Sequence, residues 1–174
     1  MCMCKFVRNA AMAALVAASS WAAAAELAAE MGAEVGKWTQ DYDAAMALAR
    51  ERSLPVLVKF TGSNWCGWCK IMEHDVFLTE AFKKWAEGRV VLVTIDFPSR
   101  HLSIVPVEWR SRNVALRHKH DVNGYPTFIV FNSKGEVVGR LGASRNATVE
   151  SFTKSFEELV GDDMPKRDSA DTSH

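Results

Sequence analysis

Short apolar runs that alternate with helical patterns limit this chain to an α/β fold. The runs Val56–Phe60 and Val90–Ile95 are rich in β-branched residues and have the length of buried strands. Apolar residues at helical spacing occupy Asp41–Arg52 before the first run, and Thr79 is a candidate N-cap for a helix between the two runs. This alternation predicts a sheet covered by helices.

The second half of the chain continues the alternation. After a long loop over residues 97–108, the sequence predicts a helix, two strands joined by a short turn that contains glycine, and a closing helix. These elements are Trp109–His120, Thr127–Phe131, Glu136–Leu141 and Ala147–Val160. Gly161 ends the last helix. The prediction for residues 38–161 is one sheet with helices on both faces.

Length and charge narrow the possible functions. The 174 residues suffice for one domain, and 48% hydrophobic with 24% charged residues is the composition of a globular protein. Lysine plus arginine equals aspartate plus glutamate, at 21 each. This balance argues against a nucleic-acid partner, because nucleic-acid-binding proteins usually carry a basic excess.

The N-terminal segment has the three parts of a secretory signal peptide. Lys5 and Arg8 precede the apolar run Ala10–Ala18, and small residues end at Ala25 before Glu26. An alanine-rich amphipathic helix is the alternative, but no polar stripe interrupts the run. We expect a periplasmic or secreted protein with a signal peptide over 1–25, a lead-in over 26–37 and a disordered polar tail over 162–174. No apolar run reaches the ~20 residues of a membrane-spanning helix, so no stable membrane insertion is expected after signal cleavage.

Cleavage removes both N-terminal cysteines and leaves one Cys-x-x-Cys pair, Cys66 and Cys69. Attachment of a c-type haem needs a histidine after the second cysteine, where Lys70 stands. A closed zinc site needs about four ligands, and His74 is near but no second cysteine pair exists. A purely structural disulfide across so short a loop stabilises a protein weakly. Redox exchange is therefore the favoured chemistry of the pair.

The order of strand, loop and helix places Cys66 at a helix N-terminus. Unpaired N–H groups and the helix dipole stabilise an anion there. They lower the pKa of the thiol, which lies between ~3.5 and ~7.5 in known Cys-x-x-Cys motifs. Cys69 follows one turn later on the same face. We expect it to be the more buried thiol and to displace the mixed disulfide.

The sequence resembles the thioredoxin superfamily from about Trp38 to Val160. The matching pieces occur in the family's order: the strand Val56–Phe60, Trp65-Cys66-Gly67-Trp68-Cys69-Lys70, Gly124-Tyr125-Pro126-Thr127, the hairpin and Gly142-Ala143-Ser144. The stretch 60–70 and the long loop after Asp96 are more similar to exported bacterial members than to cytosolic thioredoxin. The resemblance implies a thioredoxin-like α/β fold, with a central mixed sheet and helices on both faces.

The resemblance also implies a role for each matched residue. Cys66 is the attacking and Cys69 the resolving cysteine of a thiol–disulfide oxidoreductase. Pro126 is a cis-proline that faces the disulfide, and Tyr125 offers its backbone to a substrate strand. The implied substrate-binding residues are Trp65, Gly67, Trp68, Tyr125, Pro126 and Gly142. The implied partners are protein thiols or disulfides and a redox partner that recycles the pair, with no cofactor and no metal.

Two positions depart from the family's pattern. Trp68 stands where cytosolic thioredoxin has proline, so the reduction potential stays open between ~−270 and ~−120 mV. Lys59 stands where the family often has an acid in the strand before the site. Three placements of Lys59 are open: paired with Asp96, extended to solvent, or near the cysteines. In the last case its charge favours the thiolate and makes the protein a stronger oxidant.

Other polar and aromatic residues are expected to have structural roles. The histidines and arginines of one predicted helix are expected on a solvated face: His118, His120, Arg110, Arg112 and Arg117. Three tryptophans are expected to pack in the domain: Trp38, Trp85 and Trp109. The favoured function is thiol–disulfide exchange through Cys66 and Cys69, in a direction that the residues leave open. The alternative is a binding module without turnover, a metallochaperone or a folding chaperone.

Overall fold

The computed structural model describes residues 32–99 and 104–166. Its strands are Trp38–Thr39 (β1), Val56–Thr61 (β2), Val91–Asp96 (β3), Thr127–Phe131 (β4) and Val137–Gly142 (β5). Its α-helices are Tyr42–Arg52 (α1), Gly67–Met72 (α2), Glu80–Ala86 (α3), Val107–Lys119 (α4) and Val149–Val160 (α5). A π-helical turn, Glu73–Phe77, continues α2, and a 3-10 turn, Gly161–Asp163, follows α5.

The five strands form one mixed sheet in the order β1-β3-β2-β4-β5. β2 lies parallel to β3 and antiparallel to β4, so that Val58 is paired with Val93 on one side and Ile129 on the other. β1 is parallel to β3, and β5 is antiparallel to β4. All residues of β2 are buried, as expected of a central strand covered on both faces. The predicted fold class is confirmed.

Side chains alternate between the two faces of β2 and build a core on each face. Val56, Val58 and Phe60 pack with apolar residues of α1 and α4 on one face. Leu57 packs on the other face with aromatic residues from the remaining helices and β4. These aromatic residues are Phe77, Phe82, Trp85, Phe128, Phe152 and Phe156. Lys59 lies on the same face of β2 as Leu57, two residues away. Its ammonium lies over the rings of Trp38 and Phe77.

Several element boundaries differ from the sequence prediction, and one short strand was not predicted. α4 begins at Val107, two residues before the predicted start at Trp109, with Pro106 as its N-cap residue. Proline lacks an N–H and has a fixed φ, so it suits a helix start. β1 was not predicted, because a strand of two residues shows no periodicity. Its existence depends on the pairing of Trp38 with Leu92 in β3.

The predicted signal peptide lies outside the described residues, as do residues 167–174 of the predicted tail. The chain from 161 to 166 continues beyond α5, and Arg89 Nε donates a hydrogen bond of 3.3 Å to the carbonyl of Pro165. Within residues 32–99 and 104–166, no helix has the length and apolar character needed to cross a membrane.

Candidate active site

The loop between β2 and α2 places Cys66 at the helix start. Cys66 N and Trp65 N both donate to the carbonyl of Gly62, at 2.9 and 3.2 Å, which turns the chain back after β2. Cys66 is the N-cap of α2, and its Sγ accepts a hydrogen bond of 3.1 Å from Cys69 N. The two sulfur atoms form a disulfide, with the Cα atoms 5.3 Å apart. The predicted position of Cys66 at a helix N-terminus is confirmed.

Burial does not distinguish the two cysteines. Cys66 is 6% exposed and Cys69 is 5% exposed. The expectation that Cys69 is the more buried residue is therefore not met, because the disulfide holds both sulfur atoms against each other. Position in the helix does distinguish them. Cys66 caps the helix, whereas Cys69 lies in its first turn and lines a cavity beneath the site.

Trp65 connects the cysteine loop to the segment before β4. Its indole Nε1 donates to the carbonyl of Phe97 at 2.8 Å. Its ring makes an edge contact with Tyr125 at a centroid distance of 5.7 Å. A Cβ at Gly62 would lie 2.4 Å from the indole, so only glycine leaves room for this ring position. The structure thus brings Trp65 and Tyr125 together, and it places Gly62 in a role that the sequence analysis did not assign.

The segment that contains Pro126 enters the sheet beside the cysteine loop. The Tyr125–Pro126 peptide bond is cis. The next residue, Thr127, is paired with Phe60 at the end of β2 and with Gly142 in β5. Pro126 therefore directly precedes the strand that pairs with β2, whereas Gly142 lies one strand further from β2, in β5. A Cβ built on Gly142 meets no atom within 4 Å, so a side chain there would project into open space.

Trp68 is exposed between the two cysteines and contacts a second loop. The guanidinium carbon of Arg145 lies 5.6 Å from the centroid of its ring, within reach of a cation–π interaction. Arg145 follows β5, so the contact brings the loop between β5 and α5 toward the start of α2. Gly67 is also exposed, and a Cβ there would meet no atom within 4 Å. The side chains of positions 65 and 68 form an apolar border around the disulfide.

Lys59 has a different partner from the one considered in the sequence analysis. Its Nζ donates to Glu73 Oε2 at 2.6 Å. Asp96 instead accepts hydrogen bonds from the backbone N–H and the hydroxyl of Ser63. The predicted pairing of Lys59 with Asp96 is therefore wrong, because the Asp96 carboxylate accepts its hydrogen bonds from Ser63. Extension of Lys59 to solvent is also wrong, since the residue is only 5% exposed.

Burial disfavours the charged form of Lys59, whereas neighbouring groups favour it. Burial lowers the pKa of Lys59 below the ordinary value for lysine, and the charge and hydrogen bond of Glu73 counteract this shift. Nζ also lies 4.0 Å from the ring centroid of Trp38, in a cation–π geometry. Glu73 is a site residue that the sequence analysis missed. Its spacing of four residues from Cys69 on one helix is the signal that could have identified it.

A cavity of about 340 Å³ lies under the disulfide, between the sheet and α2. Its lining residues come from β1, β2, β3, the cysteine loop and α2 with its π turn. They are Trp38, Lys59, Thr61, Ser63, Cys69, Lys70, Glu73 and Thr94. Both Cys69 and the Lys59–Glu73 pair thus border one cavity. The third placement considered for Lys59, near the cysteines, is the one that the structure supports.

The predicted solvated face of α4 is only partly correct. His118 is exposed, but His120 is 8% exposed and its ring lies between the rings of Phe60 and Phe131. Burial lowers the pKa of His120, and nearby Lys119 and Arg140 lower it further. The expectation of a solvated His120 is wrong, because the end of α4 folds back onto β2 and β4.

The three arginines of α4 contact other groups of the protein and do not extend freely into solvent. Arg112 is largely buried and donates to the carbonyl of Gln40 at 2.7 Å. Arg110 Nε donates to the carbonyl of Val105, and Arg117 lies over the ring of Phe97. The solvated placement is therefore wrong for Arg112. Its position over the ring of Trp109 supports a packing role for that tryptophan.

The packing roles predicted for two other tryptophans are confirmed. Trp38 stacks on Phe82 and makes an edge contact with Phe77. Trp85 is buried against Phe156. Among the side chains of residues 32–99 and 104–166, no group of three or more histidine, cysteine, aspartate or glutamate residues is arranged to hold a metal ion.

The fold and the cysteine pair define the class to which this chain belongs. The profile of a family described as thioredoxin-like matches residues 37–133, which is more than half of the chain. The chain therefore belongs to the thioredoxin-like family. The central sheet, the Cys66–Cys69 disulfide at a helix start and the proline segment beside it are consistent with that membership.

Among individual proteins, the chain is similar to two from Chlamydia pneumoniae. It is 29% identical over 103 residues to the disulfide bond reductase DsbH, a match that covers 59% of this chain and 61% of the relative. It is 29% identical over 126 residues to the thioredoxin-related protein DsbJ, covering 72% of this chain and 36% of the relative. The chain thus matches less than two thirds of the length of either relative.

Solved structures show the same architecture. A structure of a DsbH oxidoreductase superposes with a TM-score of 0.64 at 25% identity, covering 75% of this chain and 88% of the other. A thioredoxin from Thermus thermophilus superposes with a TM-score of 0.54 at 26% identity, covering 71% and 85%. Both superpositions support the thioredoxin-like fold of this chain.

Proposed function

We propose that this protein is a thiol–disulfide oxidoreductase that acts on protein cysteines through Cys66 and Cys69. The observation that carries the proposal is the Cys66–Cys69 disulfide at the N-terminus of α2, with Cys66 as the N-cap. The name of the relative DsbH, disulfide bond reductase, supports the reducing direction. Protein disulfides are then the substrates, and a dithiol partner regenerates the reduced pair.

The first step uses the helix start. In the reduced protein, the N–H of Cys69 that now points at Cys66 Sγ can stabilise a thiolate at that sulfur. This thiolate attacks one sulfur of a substrate disulfide. A Cys66–substrate disulfide forms, and the other substrate sulfur leaves as a thiolate that takes a proton from water.

The second step uses the proximity of Cys69. Its thiolate attacks Cys66 Sγ, the bond between Cys66 and the substrate breaks, and the substrate leaves with both sulfurs reduced. The product on the enzyme is the Cys66–Cys69 disulfide seen in the structure. Because the two cysteines lie one helical turn apart, the attack is intramolecular and has a high effective concentration.

The substrate groove follows from the residues around the disulfide. Trp65 in the cysteine loop and Gly67 and Trp68 at the start of α2 supply its exposed border, and Tyr125 and Pro126 supply the opposite side. An extended substrate segment pairs with the backbone at Tyr125, in the manner of strand addition. Gly142 keeps the neighbouring strand free of a side chain. The contact between Trp65 and Tyr125 supports this arrangement, because it holds the two sides of the groove together.

The exchange proposal is tested by reduction of insulin in the presence of a dithiol donor. We expect turnover by the wild type and loss of turnover in Cys66→Ser, with the fold retained by circular dichroism. Cys69→Ser should instead accumulate a mixed disulfide with the substrate, because the resolving sulfur is missing. Equal activity of Cys66→Ser and wild type would refute the proposal. Stoichiometric binding of Cu(I) or Zn(II) by a wild type without exchange would favour the binding module instead.

We further propose that the protein acts after export, in the periplasm or outside the cell. The basic residues Lys5 and Arg8, the apolar run Ala10–Ala18 and the small residues before Glu26 support a signal peptide. An oxidising compartment also suits a protein whose remaining cysteines form one redox pair. N-terminal sequencing of the protein from its own cells should begin at or near Glu26. Retention of the first 25 residues in most molecules would contradict export.

A further inference from the structure

The cavity beneath Cys69 contains an uneven distribution of charge. The side chain of Lys59 is 6% exposed, whereas that of its partner Glu73 is 36% exposed. Solvent screens the charge of Glu73 more strongly than that of Lys59, because a partly exposed carboxylate lies in a higher effective dielectric. At the cavity, the positive charge of Lys59 is therefore the less screened of the two.

Two other charged groups lie near the cavity. Asp96, at the end of β3, is buried and its negative charge also supports the charge of Lys59, but Asp96 does not line the cavity and its carboxylate faces Ser63. Lys70 lines the cavity from α2, but it is exposed and its Nζ donates to the carbonyl of Asn64, so solvent screens its charge as it does that of Glu73. The rings of Trp38 and Phe77 cover Lys59 on the remaining side and hold its ammonium in place.

We propose that Lys59 is a positioning residue whose charge stabilises the thiolate of Cys69 across the shared cavity and thereby sets the redox potential of the pair. This inference rests on the proposed exchange function and adds a residue to it. Lys59 touches neither substrate nor the Cys66 sulfur. It acts on the resolving step, through the charge state of Cys69. Glu73 and the aromatic rings fix where that charge lies.

Lys59 acts in the resolving step, in which Cys69 displaces the substrate from Cys66. Cys69 releases its proton to water on the side of the cavity where Glu73 reaches solvent. The resulting thiolate, opposite the Lys59 ammonium, attacks Cys66 Sγ of the mixed disulfide. The Cys66–substrate bond breaks, the Cys66–Cys69 bond forms, and the substrate sulfur takes up a proton from water. A cation near Cys69 favours the thiolate and therefore the reduced pair, so it makes the protein more oxidising than a neutral residue would.

The decisive experiment measures the reduction potential of Lys59→Met by equilibration with glutathione buffers. We expect the equilibrium constant for reduction to fall about tenfold, which is about 30 mV toward a more negative potential for this two-electron couple. Lys59→Gln is a second neutral variant in case Lys59→Met folds poorly. Lys83→Met removes an exposed lysine from α3 and should leave the potential unchanged.

Two further measurements separate a charge effect from a packing effect. Alkylation of Cys69, followed against pH in a Cys66→Ser background, should require a higher pH when Lys59→Met is added. Lys59→Arg, which keeps the charge, should restore most of the wild-type potential.

The outcomes distinguish this inference from the proposed function. An unchanged potential in both neutral Lys59 variants, or a shift in Lys59→Arg as large as that in Lys59→Met, would overturn the role of Lys59. Insulin reduction by the wild type is measured on the same preparations. A wild type that equilibrates with glutathione but does not reduce insulin would refute the substrate assignment, while a Lys59-dependent potential in that protein would still support the inference.

Discussion

At the scale of single residues, the buried polar side chains differ in whether they have a partner. Lys59 is held by Glu73 and two aromatic rings. The Nε2 atom of His120 has no hydrogen-bond partner within the described part of the chain, and its ring lies among Phe60 and Phe131. A neutral imidazole tolerates such a position, but an imidazolium would be a buried charge. His120 is therefore a point where acid weakens the fold.

We expect the free energy of unfolding to decrease as the pH falls through 6.5. Burial, Lys119 and Arg140 lower the pKa of His120 from its ordinary value of 6.5, while Asp121 opposes them. Between the lowered pKa and 6.5, the unfolded chain binds more protons than the folded chain, so acidification favours unfolding. Below the lowered pKa both states are protonated and this contribution stops growing.

Urea unfolding of wild type and His120→Gln over pH 5 to 8 measures this effect. We expect a shallower pH dependence in the variant, because glutamine carries no titrating group. His118→Gln is the matched control, since His118 lies exposed on the same helix. A wild-type slope that persists unchanged in His120→Gln would show that another group causes the pH dependence.

At the scale of elements, several helices begin at a side-chain cap. The carboxylate of Asp41 accepts from Ala44 N, and the hydroxyl of Thr79 accepts from Phe82 N. The N-cap predicted at Thr79 is thus confirmed. α5 has a reciprocal capping box, in which Thr148 Oγ1 accepts from Ser151 N and Ser151 Oγ accepts from Thr148 N, at 3.1 and 2.9 Å. These two hydrogen bonds determine the residue at which α5 begins.

Thr148→Ala should lower the free energy of unfolding by about 1 kcal/mol, within the range of about 0.5–2 kcal/mol known for lost N-caps. The residue is exposed, so the loss comes from the cap rather than from packing. Thr148→Ser keeps the hydroxyl and should stay close to wild type. Chemical denaturation of the three proteins provides the comparison. Equal losses in the alanine and serine variants would show that the methyl group, not the cap, stabilises α5.

At the scale of the whole molecule, Phe77 joins more elements than its position in a short π turn suggests. Its ring makes edge contacts with Trp38, Phe82, Phe128 and Phe152, with centroids 5.0 to 5.3 Å apart. These residues belong to β1, α3, β4 and α5. The Phe77 side chain therefore connects the helix that bears the cysteines to two strands and two other helices.

Phe77→Ala should lower the free energy of unfolding by about 3–5 kcal/mol, the usual cost of removing a buried phenylalanine. Such a loss is a large part of the ~5–15 kcal/mol that stabilises a typical domain. Leu78→Ala is the matched control, because Leu78 is 57% exposed while Phe77 is 2% exposed. We expect the control within about 0.5 kcal/mol of wild type. Thermal and urea unfolding measure both variants, and similar losses would argue against the central role of Phe77.

Features that depend on neighbours along the chain could be predicted from the amino-acid pattern. The buried strands before and after the site follow from apolar runs, and the cap at Thr79 follows from local hydrogen bonding. The position of Cys66 at a helix start follows from the order of strand, loop and helix. Each of these depends on residues within a few positions, so the pattern alone predicts it.

Features that depend on residues far apart in the chain could be identified only once the packing of the elements was known. Lys59 meets Glu73 across 14 residues, and the indole of Trp65 meets the carbonyl of Phe97 across 32. The burial of His120 and the short strand β1 likewise depend on which surfaces pack against them. The periodicity of apolar side chains indicates which face of a helix or strand is buried, but not which residues pack against that face. Partner identity is fixed when strands and helices come together, because only then do desolvation and hydrogen bonding select one contact among several.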